Sequence, residues 1–296
     1  MENITIKRLT TPEELKKVEE LQKKVWGMQD IDVVPTHMLI AATMAGGLVL
    51  GAYDENKNLI GFVFGIVGYK NGKIIHHSHM AGVLPEKRYK GLGYLLKLKQ
   101  REYVLKQGID LIVWTFDPLR GPNANLNFRK LGVISNTYIR DVYGNLRDNI
   151  NIDLPSDRFL VEWWIKSKRV EKYLDPDFKK PTLEDILKIN PHNAIEVEYK
   201  NGIEVVKDID TNFSSSIVIA RIPSDADLLK KKNFRELINW RISTRELFEK
   251  LFLKGYIAID FISIKGSTSH RENYYIFIRN SKEKILEEPN YLNLIK

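Results

Sequence analysis

The chain contains no cysteine, which excludes disulfides, thiolate-bound metals and a cysteine nucleophile. It also lacks any apolar run near the roughly 20 residues that a membrane-spanning helix needs. Met1-Glu2-Asn3-Ile4 opens a strand-like alternation rather than an apolar leader, so a cytoplasmic location is the default expectation. No RNA-binding or helix-turn-helix signature is present, and neither nucleic acid nor membrane is expected as a partner. What is present is ordinary for a folded chain: 296 residues, 43% hydrophobic and 28% charged, enough for one large or two modest domains. The 46 Lys and Arg residues exceed the 38 Asp and Glu residues, and the net charge of +8 favours acidic ligands.

The first half reads as alternating strands and helices. Ile4 and Ile6 suggest a first strand. Thr11-Pro12-Glu13-Glu14 has the marks of a helix start: a hydroxyl cap, proline at the first position and glutamate three residues after the cap. Leu15, Val18, Leu21 and Val25 form its buried stripe, and a second helix runs from Thr36 to Ala45. Strands follow at residues 48–53 and 59–69, and Asn71-Gly72 predicts a tight hairpin into a strand carrying Ile74, His76, His77, His79 and Val83. A helix to about Gln107, with Leu92, Leu95, Leu96 and Tyr103 on one face, is closed by Gly108. Leu111 to Trp114 reads as a doubly buried strand. Asn123 to Leu131 reads as a short helix, and strands are expected at 133–142 and 158–165.

Between the His-rich strand and the helix lies Val83-Leu84-Pro85-Glu86-Lys87-Arg88-Tyr89-Lys90-Gly91-Leu92-Gly93. A strand, a loop with two glycines and a cationic flank, then a helix N-terminus can hold a pyrophosphate. The glycines admit the ligand to backbone N–H groups, and the helix's unpaired first-turn N–H groups and dipole favour an anion. A plain strand-to-helix turn uses the same residues for tight packing. Arg88-x-x-Gly91-x-Gly93, five residues after Val83, resembles the acyl-CoA loop of the GNAT N-acetyltransferase superfamily, and Ala124-x-x-x-Phe128-x-Lys130-Leu131-Gly132 is similar to a later helix of that family.

The resemblance implies an α/β (α+β) fold with a mixed central sheet splayed between its fourth and fifth strands, where acetyl-CoA or another short acyl-CoA lies. It implies that Arg88, Tyr89, Lys90, Gly91, Leu92 and Gly93 hold the pyrophosphate. Ala81, Gly82 and Val83 would pair with the pantetheine arm like an added strand, and Asn123 and Phe128 would sit near the thiol end. The family often has tyrosine at the position of Phe128, as proton donor to the departing thiolate, and phenylalanine cannot donate. Several members place a glutamate base six residues before the position matched by Val83. Here that residue is His77, whose ordinary pKa near 6.5 suits a base; a hydrogen-bonded structural histidine is the other reading.

His77 and His79 should share a face of their strand, with no third ligand spaced for a metal. Tyr143 is the chosen replacement acid, with Tyr138 as an alternative. Asp117 would attract a substrate ammonium or cap the turn before Pro118, and Trp26 with the 30–35 loop would shape the acceptor pocket alongside His79.

The GNAT-like domain is expected over residues 1–168, followed by a smaller α+β region over 169–296. Residues 172–181 read as a linker. Strands are expected near 194–199, 203–206, 215–222, 256–264 and 274–278, with a helical region between the third and fourth. The closing strand-helix-strand-strand order suggests a degenerate GNAT-like half without a CoA loop, covering the acceptor site or forming a homodimer contact. Ser78-His79-Met80, Trp114-Thr115-Phe116-Asp117-Pro118-Leu119 and Ser156-Asp157-Arg158 resemble a two-part GNAT subgroup, which implies N-acylation of a small amine, amino acids included. A non-catalytic acyl-CoA-binding module is the alternative.

Overall fold

The computed structural model describes residues 3–88, 91–144, 154–266 and 271–295. They divide into two compact units, one reaching Trp114 and the other made of 115–144 and the residues from Leu154 onward.

In the first unit β1 (Thr5–Arg8) leads to α1 (Pro12–Trp26), α2 (Thr36–Met44), β2 (Leu48–Tyr53), β3 (Leu59–Lys70), β4 (Lys73–Val83), α3 (Leu92–Lys106) and β5 (Leu111–Phe116), whose last two residues belong to the second unit. The expected cap of α1 forms: Thr11 accepts from the Glu14 backbone N–H, and the Glu14 carboxylate accepts from the Thr11 backbone N–H. Strands β1 to β4 pair antiparallel in sequence order, and β4 meets β5 in parallel. Asn71 and Gly72 both take positive φ in the β3–β4 turn, as the tight hairpin requires.

One face of this sheet packs on α1 and α2 through Leu15, Val18, Leu21, Phe62 and Phe64. The other packs on α3 through Val63, Leu92 and Leu96. The buried face of α3 is Leu92, Leu96, Lys97, Gln100 and Val104. Leu95, expected inside, is exposed, and two polar residues occupy the core side instead.

The second unit begins with α4 (Gly121–Ala124), which continues as a wider π-helical turn over Asn125–Lys130 rather than the uniform helix expected. The Leu131 N–H reaches back to the Leu126 carbonyl at 3.0 Å. Then come β6 (Ile134–Ile139), β7 (Arg158–Trp164), α5 (Lys168–Leu174), α6 (Leu183–Leu187), β8 (His192–Asn193), β9 (Ile195–Lys200), β10 (Ile203–Ile209), β11 (Ile217–Ile222), α7 (Ala226–Lys232), α8 (Phe234–Leu253), β12 (Tyr256–Lys265), β13 (Arg271–Arg279) and α9 (Lys282–Glu287).

Within this unit the strands run β7-β6-β12-β13-β11-β8, with β9 and β10 as a separate ribbon. Because Ser135 of β6 pairs with Ala258 of β12, β6 and β7 join the C-terminal strands, and the division between units falls earlier in the chain than residue 168. The linker expected over 172–181 is corrected in part. Its first residues end α5, whose Arg169, Val170 and Tyr173 are buried, so the charged stretch supplies core contacts as well as solvated side chains. Arg169 donates to the carbonyls of Gly132 and Ile259 and stacks on the Tyr173 ring.

Candidate functional site

In the first unit the site is organised by an irregularity in β4. Ile66 pairs with His77 and Phe64 with Met80, so Ser78 and His79 together face the single residue Gly65. This bulge leaves His77 and His79 on the α1–α2 face, with ring centroids 6.1 Å apart, and sets His79 edge-on to Phe64. Ser78 turns the other way, under α3.

Strand β4 pairs with β5 through His76 with Ile112 and His77 with Val113. Past those rungs the β5 side of β4, from Ser78 to Val83, has no strand partner among the described residues. An extended ligand can add to such an edge through its backbone groups. Ala81, Gly82 and Val83 lie on this stretch. Gly82 faces Trp26, whose ring is edge-on to Phe62 at 5.8 Å.

Gly91 precedes α3 with φ +87, and no atom lies within 4 Å of where its Cβ would stand. The backbone conformation, not crowding, therefore calls for glycine. Among the described residues no side chain caps the start of α3, and its first turn carries no acidic residue. The first N–H groups, at Leu92 and Gly93, are free of a competing side-chain oxygen and suit an anion. Arg88 turns back into the protein: its Nε donates to the Val83 carbonyl at 3.2 Å and its Nη2 to the Val25 carbonyl at 2.8 Å. It thus anchors the loop to the ends of β4 and α1. Tyr89 and Lys90 lie outside the described residues.

Burial lowers the pKa of His77, and the charges that His79, Lys97 and Lys70 carry when protonated add to the effect. His79 is lowered too, by partial loss of its water shell. Both rings are therefore neutral and able to accept a proton at neutral pH. No cluster of three or more metal-ligating side chains occurs among the described residues, nor is any helix there long and apolar enough to cross a membrane.

The remaining predicted residues fall in the second unit. Asp117 is buried and pairs with Arg241 at 2.7 Å, while its Oδ1 accepts from the Leu119 N–H at 2.9 Å, which is the turn-capping role. Burial alone would raise its pKa, but Arg241, Arg158 and Arg120 hold it below the usual carboxylate value. The carboxylate is therefore charged yet already neutralised by arginine, and it does not offer a free charge to an ammonium.

Tyr143 is half exposed, with its hydroxyl 2.6 Å from Thr115 Oγ1. Tyr138 donates to Asp157 at 2.6 Å, and burial, before the charges around it, raises its pKa above that of an ordinary phenol. Asn123 is exposed on α4. Phe128 is fully buried, edge-on to Tyr275 at 5.6 Å and to Phe116 at 6.1 Å. Its ring fills the aromatic core of the second unit.

No protein-family model matches the chain, and no curated protein does. Solved structures do. The chain is similar to GNAT acetyltransferases. The ribosomal-protein-S18-alanine N-acetyltransferase from Escherichia coli is 16% identical with a TM-score of 0.44, over 55% of this chain and 94% of that one. A GNAT-family acetyltransferase from Streptococcus pneumoniae is 14% identical with a TM-score of 0.44, over 54% and 98%. Arabidopsis thaliana Naa50, in complex with the bisubstrate analogue CoA-Ac-MVNAL, is 18% identical with a TM-score of 0.43, over 54% and 97%.

Sequence reasoning passed over a buried polar cluster on the α3 face of the first unit. Lys97 and Gln100 lie inside, against Ser78 and His76, and all four are buried. The signal was in the helix spacing: Leu92, Leu96, Gln100 and Val104 recur at four-residue intervals, the period of one buried face, with Lys97 beside them.

Proposed function

We propose that the protein is an acyl-CoA-dependent N-acyltransferase acting on a small amine or amino acid, with acetyl-CoA or succinyl-CoA as donor. The observation that carries this reading is the β4 edge that has no strand partner beyond His77 among the described residues, followed in the chain by the Gly91-led start of α3. The pyrophosphate sits on the N–H groups at the start of α3, and the pantetheine arm runs along Ala81 to Val83. Backbone N–H groups of that edge orient the thioester carbonyl and stabilise the oxyanion that forms on it. His77 takes a proton from the substrate ammonium, directly or through water. The freed amine attacks the carbonyl carbon, the C–S bond breaks, and the CoA thiolate leaves and is protonated.

Trp26 and His79 are assigned as walls of the acceptor site. The geometry of Asp117 supports a structural role for that residue in place of substrate binding. A second reading, an acyl-CoA-binding module without turnover, is favoured by one observation: Phe128 has no hydroxyl and its ring is enclosed in the core.

Incubation with acetyl-CoA or succinyl-CoA and a panel of amines and amino acids, followed by free thiol, separates the two. Thiol release that depends on one amine class supports the enzyme, and CoA binding without turnover favours the module. No CoA binding overturns both.

A further inference from the structure

Lys97 lies at the first open rung between β4 and β5. The last paired residues are His77 and Val113, and the next residue on each strand is Ser78 and Trp114. Lys97 touches both: its Nζ donates to Ser78 Oγ at 2.7 Å and stands 3.8 Å from the centroid of a Trp114 ring. A third contact is to Gln100 Oε1 at 3.2 Å. These partners are all uncharged, and burial pushes its pKa down to about 7.

With Lys97 protonated, the network has one consistent arrangement of donors and acceptors. An ammonium only donates, so Gln100 turns its oxygen to Lys97 and its amide N–H groups to His76, 3.0 Å away at Nε2. His76 Nε2 then accepts, its proton sits on Nδ1, and the ring is neutral. Burial accordingly lowers its pKa to about 3. Ser78 Oγ, accepting from Lys97, lies 3.1 Å from the same Gln100 oxygen and can donate to it. A buried lysine without a carboxylate is costly to keep, and this one is held where the two strands separate.

We propose that Lys97 is a positioning residue for acyl transfer: it braces the point where β4 and β5 part, tying Ser78 on one strand to the Trp114 ring on the other, and so fixes the bulge that carries His77 and His79. The inference rests on the acyltransferase reading for its effect on turnover, but not for its effect on His77. The groups that act on the His77 ring are His79 from its own strand, Lys70 from β3 and Lys97 from α3. Loss of the brace therefore changes both the position and the charge environment of His77, while the pyrophosphate end at the start of α3 is unaffected.

The test uses the full chain with Lys97→Met, which keeps the buried stem and removes the ammonium, and Ser78→Ala, which keeps the charge and removes its β4 contact. Two readouts are needed: steady-state kinetics, and the titration of the His77 ring by NMR, which requires no turnover. The expected result for Lys97→Met is a fall in kcat of about 10- to 100-fold, with KM for acyl-CoA within about 3-fold. The His77 midpoint should move to higher pH, since a cation has gone. Ser78→Ala should lower kcat in the same direction and alter the His77 signal with the charge still present.

Wild-type kcat and an unmoved His77 titration in both variants overturn the proposal. If Lys97→Met does not fold, Ser78→Ala decides by the same criteria. If no amine supports turnover, the acyltransferase reading fails by itself. A shifted His77 then still supports the brace, and an unshifted one overturns it.

Discussion

The indole of Trp26 closes directly over Gly82, its tip 2.8 Å from where a Cβ would stand. Close approach between the end of α1 and β4 thus depends on the missing side chain. Gly82→Ala should displace Trp26 and cost about 1–3 kcal/mol through overpacking. Thermal or urea unfolding measures the loss. If Trp26 walls the acceptor site, KM for the amine should rise while that for acyl-CoA changes little.

The pH profile tests His77. Because its pKa is lowered, the acid limb of kcat/KM should fall at a pH below the ordinary histidine value near 6.5. The neutral ring is the active form, so activity is full above the lowered pKa and lost as pH falls through it. His77→Ala should lower kcat by about 10²- to 10⁴-fold and remove the limb, with acyl-CoA affinity nearly unchanged. An unaltered rate removes His77 from the mechanism.

Much of the first unit was legible because its signals are local. Thr11 to Glu14 specify a helix start, Asn71-Gly72 a tight hairpin, and Gly91-x-Gly93 a loop that opens onto a helix, each within a few residues of chain. The side-chain environments were less legible where they depend on distant partners. Asp117 reads equally as a lure for an ammonium or a turn cap until Arg241, more than a hundred residues later, is seen beside it. Phe128 reads as a site residue until Tyr275 packs on it. The charged α5 looks like a linker because its core contact is an arginine, Arg169, whose burial depends on the Gly132 and Ile259 carbonyls. Likewise Lys97, a core lysine, breaks the apolar pattern by which a buried helix face is recognised.

Gly91 should be sensitive through its backbone alone. Gly91→Ala meets no neighbour but pays for a left-handed φ, about 1–2 kcal/mol. It should weaken acyl-CoA binding by disturbing the start of α3. Gly91→Asn, which tolerates that conformation better, should be milder on both counts. Calorimetric titration with CoA and thermal unfolding check the pair.

The Asp117–Arg241 pair is a test of the second unit's core. Arg241→Met takes the nearest cation from a buried carboxylate and leaves Arg158 and Arg120 beside it; it should cost up to about 3–5 kcal/mol, whereas the double variant with Asp117→Asn should recover much of it. Since the folded pKa of Asp117 is lowered, its contribution is present in full above the unfolded value near 3.9 and disappears as pH falls through the lower folded value. Wild type and Asp117→Asn should therefore converge in stability in strong acid, as followed by urea unfolding across pH.

The extra residue in β4 also acts as a phase shift. Before it, odd-numbered residues from His77 face α1 and α2; beyond it the even-numbered ones do, with Met80 opposite Phe64 and Gly82 opposite Phe62. Point substitutions preserve that phase. Loss of one residue at Ser78 or His79 would close the bulge: His77 stays opposite Ile66 and Met80 opposite Phe64, and the single residue left between them pairs with Gly65. The strand could then no longer present His77 and His79 on one face while Ser78 reaches Lys97 on the other. Among related sequences, a one-residue deletion at this point should therefore remove that paired arrangement whatever the neighbouring side chains.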